Sequence, residues 1–184
     1  MTRARPRAPR SARASVALAT GLALTSVGAA QGPNAASAAS AACRIDQLSL
    51  SATGNSGLGH GGDTVVLASR GRGTCFLHGY PRVVGVTSNG EAVAAIDTRQ
   101  GYLGGVGTPS TRLPTVVLRY GAVASFTVEN LDFRANGSSN CPLLRALRLS
   151  LPGSSVTRSL SVRLLDCATL YVHPIVPGGS GVLR

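Results

Sequence analysis

The chain has no lysine and no tryptophan, and aromatic residues make up only 4 % of its 184 positions. Its core therefore has to be built from Val, Leu, Ile and Ala. The absence of Lys beside abundant Ala and Gly reads as a GC-rich coding genome rather than as chemistry. Acidic residues number seven and histidines three, a thin supply for acid–base or metal chemistry. No apolar run reaches the ~20 residues that span a bilayer. No two arginines are adjacent, so the twin-arginine export route is not indicated. The length suits one domain, not two.

What is present is export information, arginine and cysteine. Residues 1–13 carry Arg3, Arg5, Arg7, Arg10 and Arg13 and no acid; residues 14–24 are apolar; small residues follow. Val27-Gly28-Ala29 and Gly28-Ala29-Ala30 both satisfy the small-x-small cleavage preference. This is the order of a Sec-type signal peptide, taken as residues 1–30, with the mature chain expected to begin at Ala30 or Gln31. Residues 31–42 have little to bury and read as a flexible spacer, 43–178 as the folded domain and 179–184 as a tail. Ser40 stands where a lipoprotein signal wants a large aliphatic residue, three before Cys43, so lipid anchoring is not expected.

The formal charge is +11, but five of the 18 arginines lie in the leader; 13 Arg against 7 acids leave +6. These arginines are spread singly along the chain. Nucleic-acid binding wants clustered charge, often with stacking aromatics, so a solvated basic surface is expected and no nucleic-acid partner. Cys43, Cys75, Cys141 and Cys167 all fall in the mature part. In an exported domain they read as two disulfides. No Cys-x-x-Cys or close Cys/His spacing suggests a metal.

Beyond Cys43, short apolar runs alternate with turn residues every 8 to 12 positions, the pattern of an all-β sandwich or barrel. Strands are expected at 45–51, 63–69, 82–88, 91–97, 115–119, 122–130, 144–151, 158–164 and 170–175. Leu147, Leu149 and Leu151 alternate with Arg148 and Ser150. Leu160, Val162 and Leu164 alternate with Ser159, Ser161 and Arg163, and Ala124, Phe126 and Val128 with Ser125, Thr127 and Glu129. That period implies one buried and one wet face per strand. Asn89-Gly90 and Pro152-Gly153 mark reversals. Residues 54–62, 98–114 and 131–140 read as loops.

Cys43 followed by a strand, Gly61-Gly62, the run Cys75-Phe76-Leu77-His78-Gly79-Tyr80-Pro81, a later strand opened by Gly121, then Cys141 and Cys167, resemble the domain of unknown function 4232 family. The most specific piece is Cys-x-Leu-x-Gly-Tyr-Pro, matched by Cys75, Leu77, Gly79, Tyr80 and Pro81. The resemblance extends from about Cys43 to Gly178. It departs from the family at Tyr120, where Pro is usual, and at Ser69, where Asn is frequent. The resemblance implies an immunoglobulin-like antiparallel β-sandwich in a secreted or envelope protein of high-GC Gram-positive bacteria, and implies no activity or cofactor. The motif residues read as structural. Gly79 permits an unusual φ, Pro81 biases Tyr80 toward extended backbone, and the Tyr80 ring should lie half-buried with its hydroxyl at the edge.

Four cysteines allow three connectivities. The strand pattern selects one. Cys43 precedes one strand and Cys75 follows the next. Cys141 and Cys167 repeat this around Pro152-Gly153. If each pair of strands is antiparallel, the bridges are Cys43–Cys75 and Cys141–Cys167.

Catalytic motifs fail on context. Gly57-x-Gly59-x-x-Gly62 matches a dinucleotide fingerprint in letters, but a polar loop precedes it and a strand follows. Gly54-Asn55-Ser56-Gly57 resembles a protease serine, yet His60, His78 and His173 all come after it. His60 with Asp63 is too small a ligand set for a metal. Glu129, Asp132 and Asp97 are the only acids at plausible strand ends for paired-carboxylate work. The expectation is a non-catalytic module without metal or cofactor, presenting loops to an envelope protein or polysaccharide. A secreted hydrolase with a dispersed site and a ligand-free spacer are the alternatives. A buried, shifted acid or a His beside a Ser in a real pocket would favour the hydrolase.

Overall fold

The computed structural model describes residues 41–109, 111–138 and 140–183. The expected signal peptide and most of the expected spacer lie outside them. The described chain is all-β. It opens with β1 (Ala41–Ala42), within the stretch read as spacer, and a single 3-10 turn at Ile45–Gln47, where a strand was expected to begin. Then come β2 (Leu48–Gly57), β3 (His60–Ser69), β4 (Cys75–His78), β5 (Arg82–Thr87), β6 (Ala92–Ala94) and β7 (Ile96–Asp97). They are followed by β8 (Gly105–Val106), β9 (Thr115–Leu118), β10 (Val123–Leu131), β11 (Leu143–Ser150) and β12 (Thr157–Leu165). The chain closes with β13 (Tyr171–Val172), β14 (Val176–Pro177) and β15 (Val182–Leu183).

The largest sheet has the order β2-β3-β10-β13-β7, with β14 also pairing β10; a second has the order β12-β11-β5-β6. A small sheet, β1-β4-β9, and the pair β15-β8 complete the fold. Val65, Leu67, Phe126 and Val128 from the first sheet meet Val83, Leu147, Leu149, Val162 and Leu164 from the second in one core, joined by Leu77, Val116 and Leu118 from the small sheet. Apart from Phe126 and the Cys43–Cys75 bridge, the core is aliphatic, as the composition requires. The expected strand at 91–97 is two strands: the chain crosses at Ala95 from the second sheet, where β6 pairs β5, to the first, where β7 pairs β13.

Both disulfides form as the strand pattern indicated. Leu48 pairs with Ser69 at one end of β2–β3, and Cys43–Cys75 closes that end with Cα atoms 4.8 Å apart. Leu143 pairs with Leu165 at one end of β11–β12, and Cys141–Cys167 closes it at 4.9 Å.

Three further expectations are corrected. The glycine-rich stretch 54–62 is not a loop: β2 and β3 continue as one long hairpin to a two-residue turn at Leu58-Gly59, with Gly57 facing His60. Its glycines serve close packing. A Cβ on Gly62 would stand 2.6 Å from the Val128 carbonyl oxygen, and one on Gly61 2.2 Å from Asp132 Oδ1. The strand expected at 170–175 shrinks to Tyr171–Val172, because Pro174 has no N–H to continue a ladder. Finally, β10 has no wet face. Ala124, Phe126 and Val128 enter the core, while Ser125, Thr127 and Glu129 on its other side are buried as well.

Candidate recognition tip and its buried brace

The covered side of β10 explains how one end of the molecule is built. Glu129 is 4 % exposed and His173 is 0 % exposed. Glu129 Oε1 accepts the Tyr102 N–H at 3.1 Å, and Oε2 accepts the Leu103 N–H at 2.7 Å. His173 Nε2 stands 3.3 Å from the same Oε2 without meeting hydrogen-bond geometry. Burial alone pushes the Glu129 carboxyl up. The facing His173 ring and the two backbone N–H donors outweigh it and hold the pKa below the ordinary carboxylate range.

Glycines let the loop lie flat on this pair. A Cβ on Gly101 would come 2.0 Å from Glu129 Oε1, and one on Gly104 2.4 Å from Thr127 Cβ. Gly105 adopts φ +101°, and its N–H donates to the Gly181 carbonyl at 3.0 Å. Gly181 in turn donates to Ser125 Oγ at 2.8 Å. The loop thus has nearly the hydrogen bonding of a strand: Gly101 N–H to Gly104 O, Val106 N–H to Arg99 O, and β8 paired with β15. The segment read as a tail is part of this cover.

The braced loop delivers Tyr102 to the tip of the β2–β3 hairpin. His60 stacks on Tyr102 with ring centroids 5.0 Å apart and 24° between planes. Tyr102 lies over Gly57, where a Cβ would meet its Cε1 at 3.0 Å; Phe133 lies over Gly59, where a Cβ would meet its Cε1 at 2.3 Å. Asp132 N–H donates to the Gly59 carbonyl at 2.8 Å, tying the 131–140 loop to the hairpin. The three segments read as loops from the sequence therefore converge at one tip. At its apex Leu58 is 84 % exposed, flanked by Tyr102 at 52 % and Phe133 at 41 %. Leu58 has φ 45°, the left-handed backbone that two-residue hairpin turns usually give to Asn, Asp or Gly.

The family-motif residues lie elsewhere. Leu77 is buried in the core, Gly79 takes φ +90°, Pro81 is buried and Tyr80 half-buried. Tyr80 and Pro81 line a cleft of about 790 Å³ with Arg82, Asp97, Ser154 and Ser155. Burial raises the pKa of both Tyr80 and Asp97 there. Asp63, 6 % exposed, leaves Oδ2 without a partner, and burial raises its pKa.

Of the residues weighed for chemistry, the structure brings His60 to the tip beside Tyr102 and Asp132 to its base, and places Glu129 in the brace. It does not gather Ser56, His60 and Asp63 into a triad: Ser56 is exposed, and the Gly57–Gly62 fingerprint runs into a strand, not a helix. Among the described residues no cluster of three or more His, Cys, Asp and Glu could hold a metal ion. Tyr102, Phe133 and Leu58 were not singled out by sequence, and His173 entered only as a histidine in the wrong chain order for a protease triad. Only the glycine spacing around position 102 hinted at a packed loop.

The family model described as domain of unknown function (DUF4232) matches residues 43–175. No curated protein and no solved structure matches the chain.

Proposed function

The chain belongs to the family of DUF4232 domains, and from that premise we propose that it is an exported, non-catalytic recognition module. In this reading an immunoglobulin-like sandwich presents the Leu58–Tyr102–Phe133 tip to an apolar pocket on a partner protein outside the cell or in its envelope. The observation that carries it is Leu58. A large aliphatic side chain in left-handed backbone costs about 1–2 kcal/mol. At 84 % exposure the fold recovers little of that by burial. Aromatics flanking an aliphatic apex on a rigid loop are what a partner pocket takes up as an anchor.

Export is supported by the basic, apolar and small-residue order of residues 1–30 and by two disulfides, which persist in oxidising compartments. Cys43 Sγ is engaged with Cys75, which speaks against a lipid anchor there. No helix among the described residues is long and apolar enough to cross a membrane. The non-catalytic reading is supported by the burial of the His173–Glu129 pair, which Gly101, Gly104 and Gly105 cover at close range.

The test is site-specific photo-crosslinking in the producing cell's envelope. A benzophenone residue at Leu58 should give a discrete adduct that Phe133→Ser abolishes; the same residue at Val156, 58 % exposed on another edge, should not. Equal labelling from both positions would contradict recognition by the tip.

A further inference from the structure

The second sheet reverses an expectation from sequence. Arginines scattered singly along the chain come together on its outer face. Arg148 faces outward on β11, opposite Val84 of β5 and Ser159 of β12. Ser150 pairs with Arg82, so Arg82 lies one diagonal from Arg148, roughly 7–8 Å in an antiparallel pair. Between Leu144 and Ala146 the register shifts on both sides. The irregularity turns Arg145 outward and sets it opposite Val162–Arg163. Arg82, Arg145, Arg148 and Arg163 are all exposed and form a track across three strands.

Among the described residues nothing neutralises this track. β5, β6, β11 and β12 contain no acidic residue. Among the described residues the ion pairs are Arg44–Asp46 and His173–Glu129, and none of the four arginines is in a hydrogen bond or ion pair. The nearest carboxylates stand at the rim: Asp63 in a shallow depression that Arg163 also lines, Asp97 in the cleft beside Arg82, and Glu91 and Asp166 at the opposite end. Like charges at neighbouring cross-strand positions destabilise a sheet. Fold stability therefore gives no reason for this arrangement.

We infer that the outer face of the β12-β11-β5-β6 sheet is a docking surface for a linear anionic polysaccharide. Guanidinium groups bind carboxylate or phosphate through paired N–H donors. Thr157, Ser159 and Ser161 stand exposed on β12 and supply hydroxyl partners for sugar hydroxyls. The four strands carry no Phe, Tyr or Trp, so the face lacks the platform that single-stranded nucleic acid stacks on and the rings that anchor proteins at a bilayer interface. Charge complementarity without aromatics selects the polysaccharide. The surface is distinct from the tip and does not depend on it.

The exported protein is tested on immobilised alginate over a salt series, with poly-dT and phosphatidylglycerol vesicles as rival probes. Arg145→Ser/Arg148→Ser/Arg163→Ser should weaken alginate binding about tenfold or more and flatten its salt dependence. Arg70→Ser/Arg72→Ser/Arg119→Ser removes the same formal charge from other exposed positions and should cost less than about threefold. Leu58→Asp should leave alginate binding unchanged, which separates this surface from the tip. Equal losses in the two triple variants, no alginate binding at low salt, or tighter binding to poly-dT or vesicles would overturn the inference. Unchanged circular dichroism in each variant shows that the fold is intact.

Discussion

The two large sheets have the same strand grammar and opposite outer faces. Outside β10, Ser125, Thr127 and Glu129 are roofed by the Gly101–Val106 segment and by Gly181, and the N–H groups of Gly101, Tyr102, Leu103, Gly105, Val106 and Gly181 all have acceptors. Outside β11, Arg145 and Arg148 stand exposed, with no hydrogen-bond or ion-pair partner among the described residues. Both strands alternate polar with apolar residues, so alternation alone does not say which polar face will meet water. The difference lies in the second layer. One face has a glycine-rich loop able to approach within contact distance, and the other has none among the described residues. Polar residues under a roof hold structure together, whereas polar residues left open are free to bind.

The comparison can be broken at several points, in descending order of effect. Removing Cys141–Cys167, which closes the bare sheet's hairpin, should cost about 3–4 kcal/mol in urea unfolding, and removing Cys43–Cys75 a similar amount. Equal losses mean that neither sheet is stable by itself; a loss confined to one bridge would mark the other sheet as self-sufficient. Glu129→Gln should cost about 1.5–3 kcal/mol, because it removes a charged acceptor from the Tyr102 and Leu103 N–H donors. The same brace fails with acid. Since the folded carboxyl is depressed from its ordinary 4.5, its stabilisation is complete above that value and is lost as the pH falls through the lowered one. Tyr102 fluorescence followed during acid titration should report the release.

Smaller effects sharpen the contrast. Asp63 has the opposite sign: burial raises its pKa, so the ionised form is a burden above the folded value, and Asp63→Asn should raise Tm by about 3 °C at neutral pH. On the bare face, Arg163→Thr should be neutral or stabilising by less than about 0.5 kcal/mol, since it relieves like-charge repulsion. A clear destabilisation there would mean that the arginine track holds the sheet together instead of serving a ligand.

Much of the frame was legible in the sequence because period-two alternation and cysteine placement are local signals. The strands around Phe126, Leu147 and Val162, the two hairpin reversals and both disulfides follow from them. The roof over β10 was not legible. Ser125, Thr127 and Glu129 look like a wet face, and the tertiary approach of Gly101, Gly104, Gly105 and Gly181 buries them. The arginine track was hidden for the complementary reason. Residues 82, 145, 148 and 163 are far apart or singly spaced along the chain, and cross-strand register together with one bulge gathers them. The hairpin tip was misread because glycine suggests a loop, whereas Gly57, Gly59, Gly61 and Gly62 make room for Tyr102, Phe133, Asp132 and the β10 backbone.

That the covered face exists to hold the tip in place is tested most directly by amide hydrogen exchange on the free protein. At neutral pH the N–H groups of Tyr102, Leu103 and Gly105 should exchange as slowly as those of β10, and Glu129→Gln should release them selectively while β11 stays protected. Rapid exchange of Tyr102 and Leu103 in the unmodified protein would contradict a preformed tip.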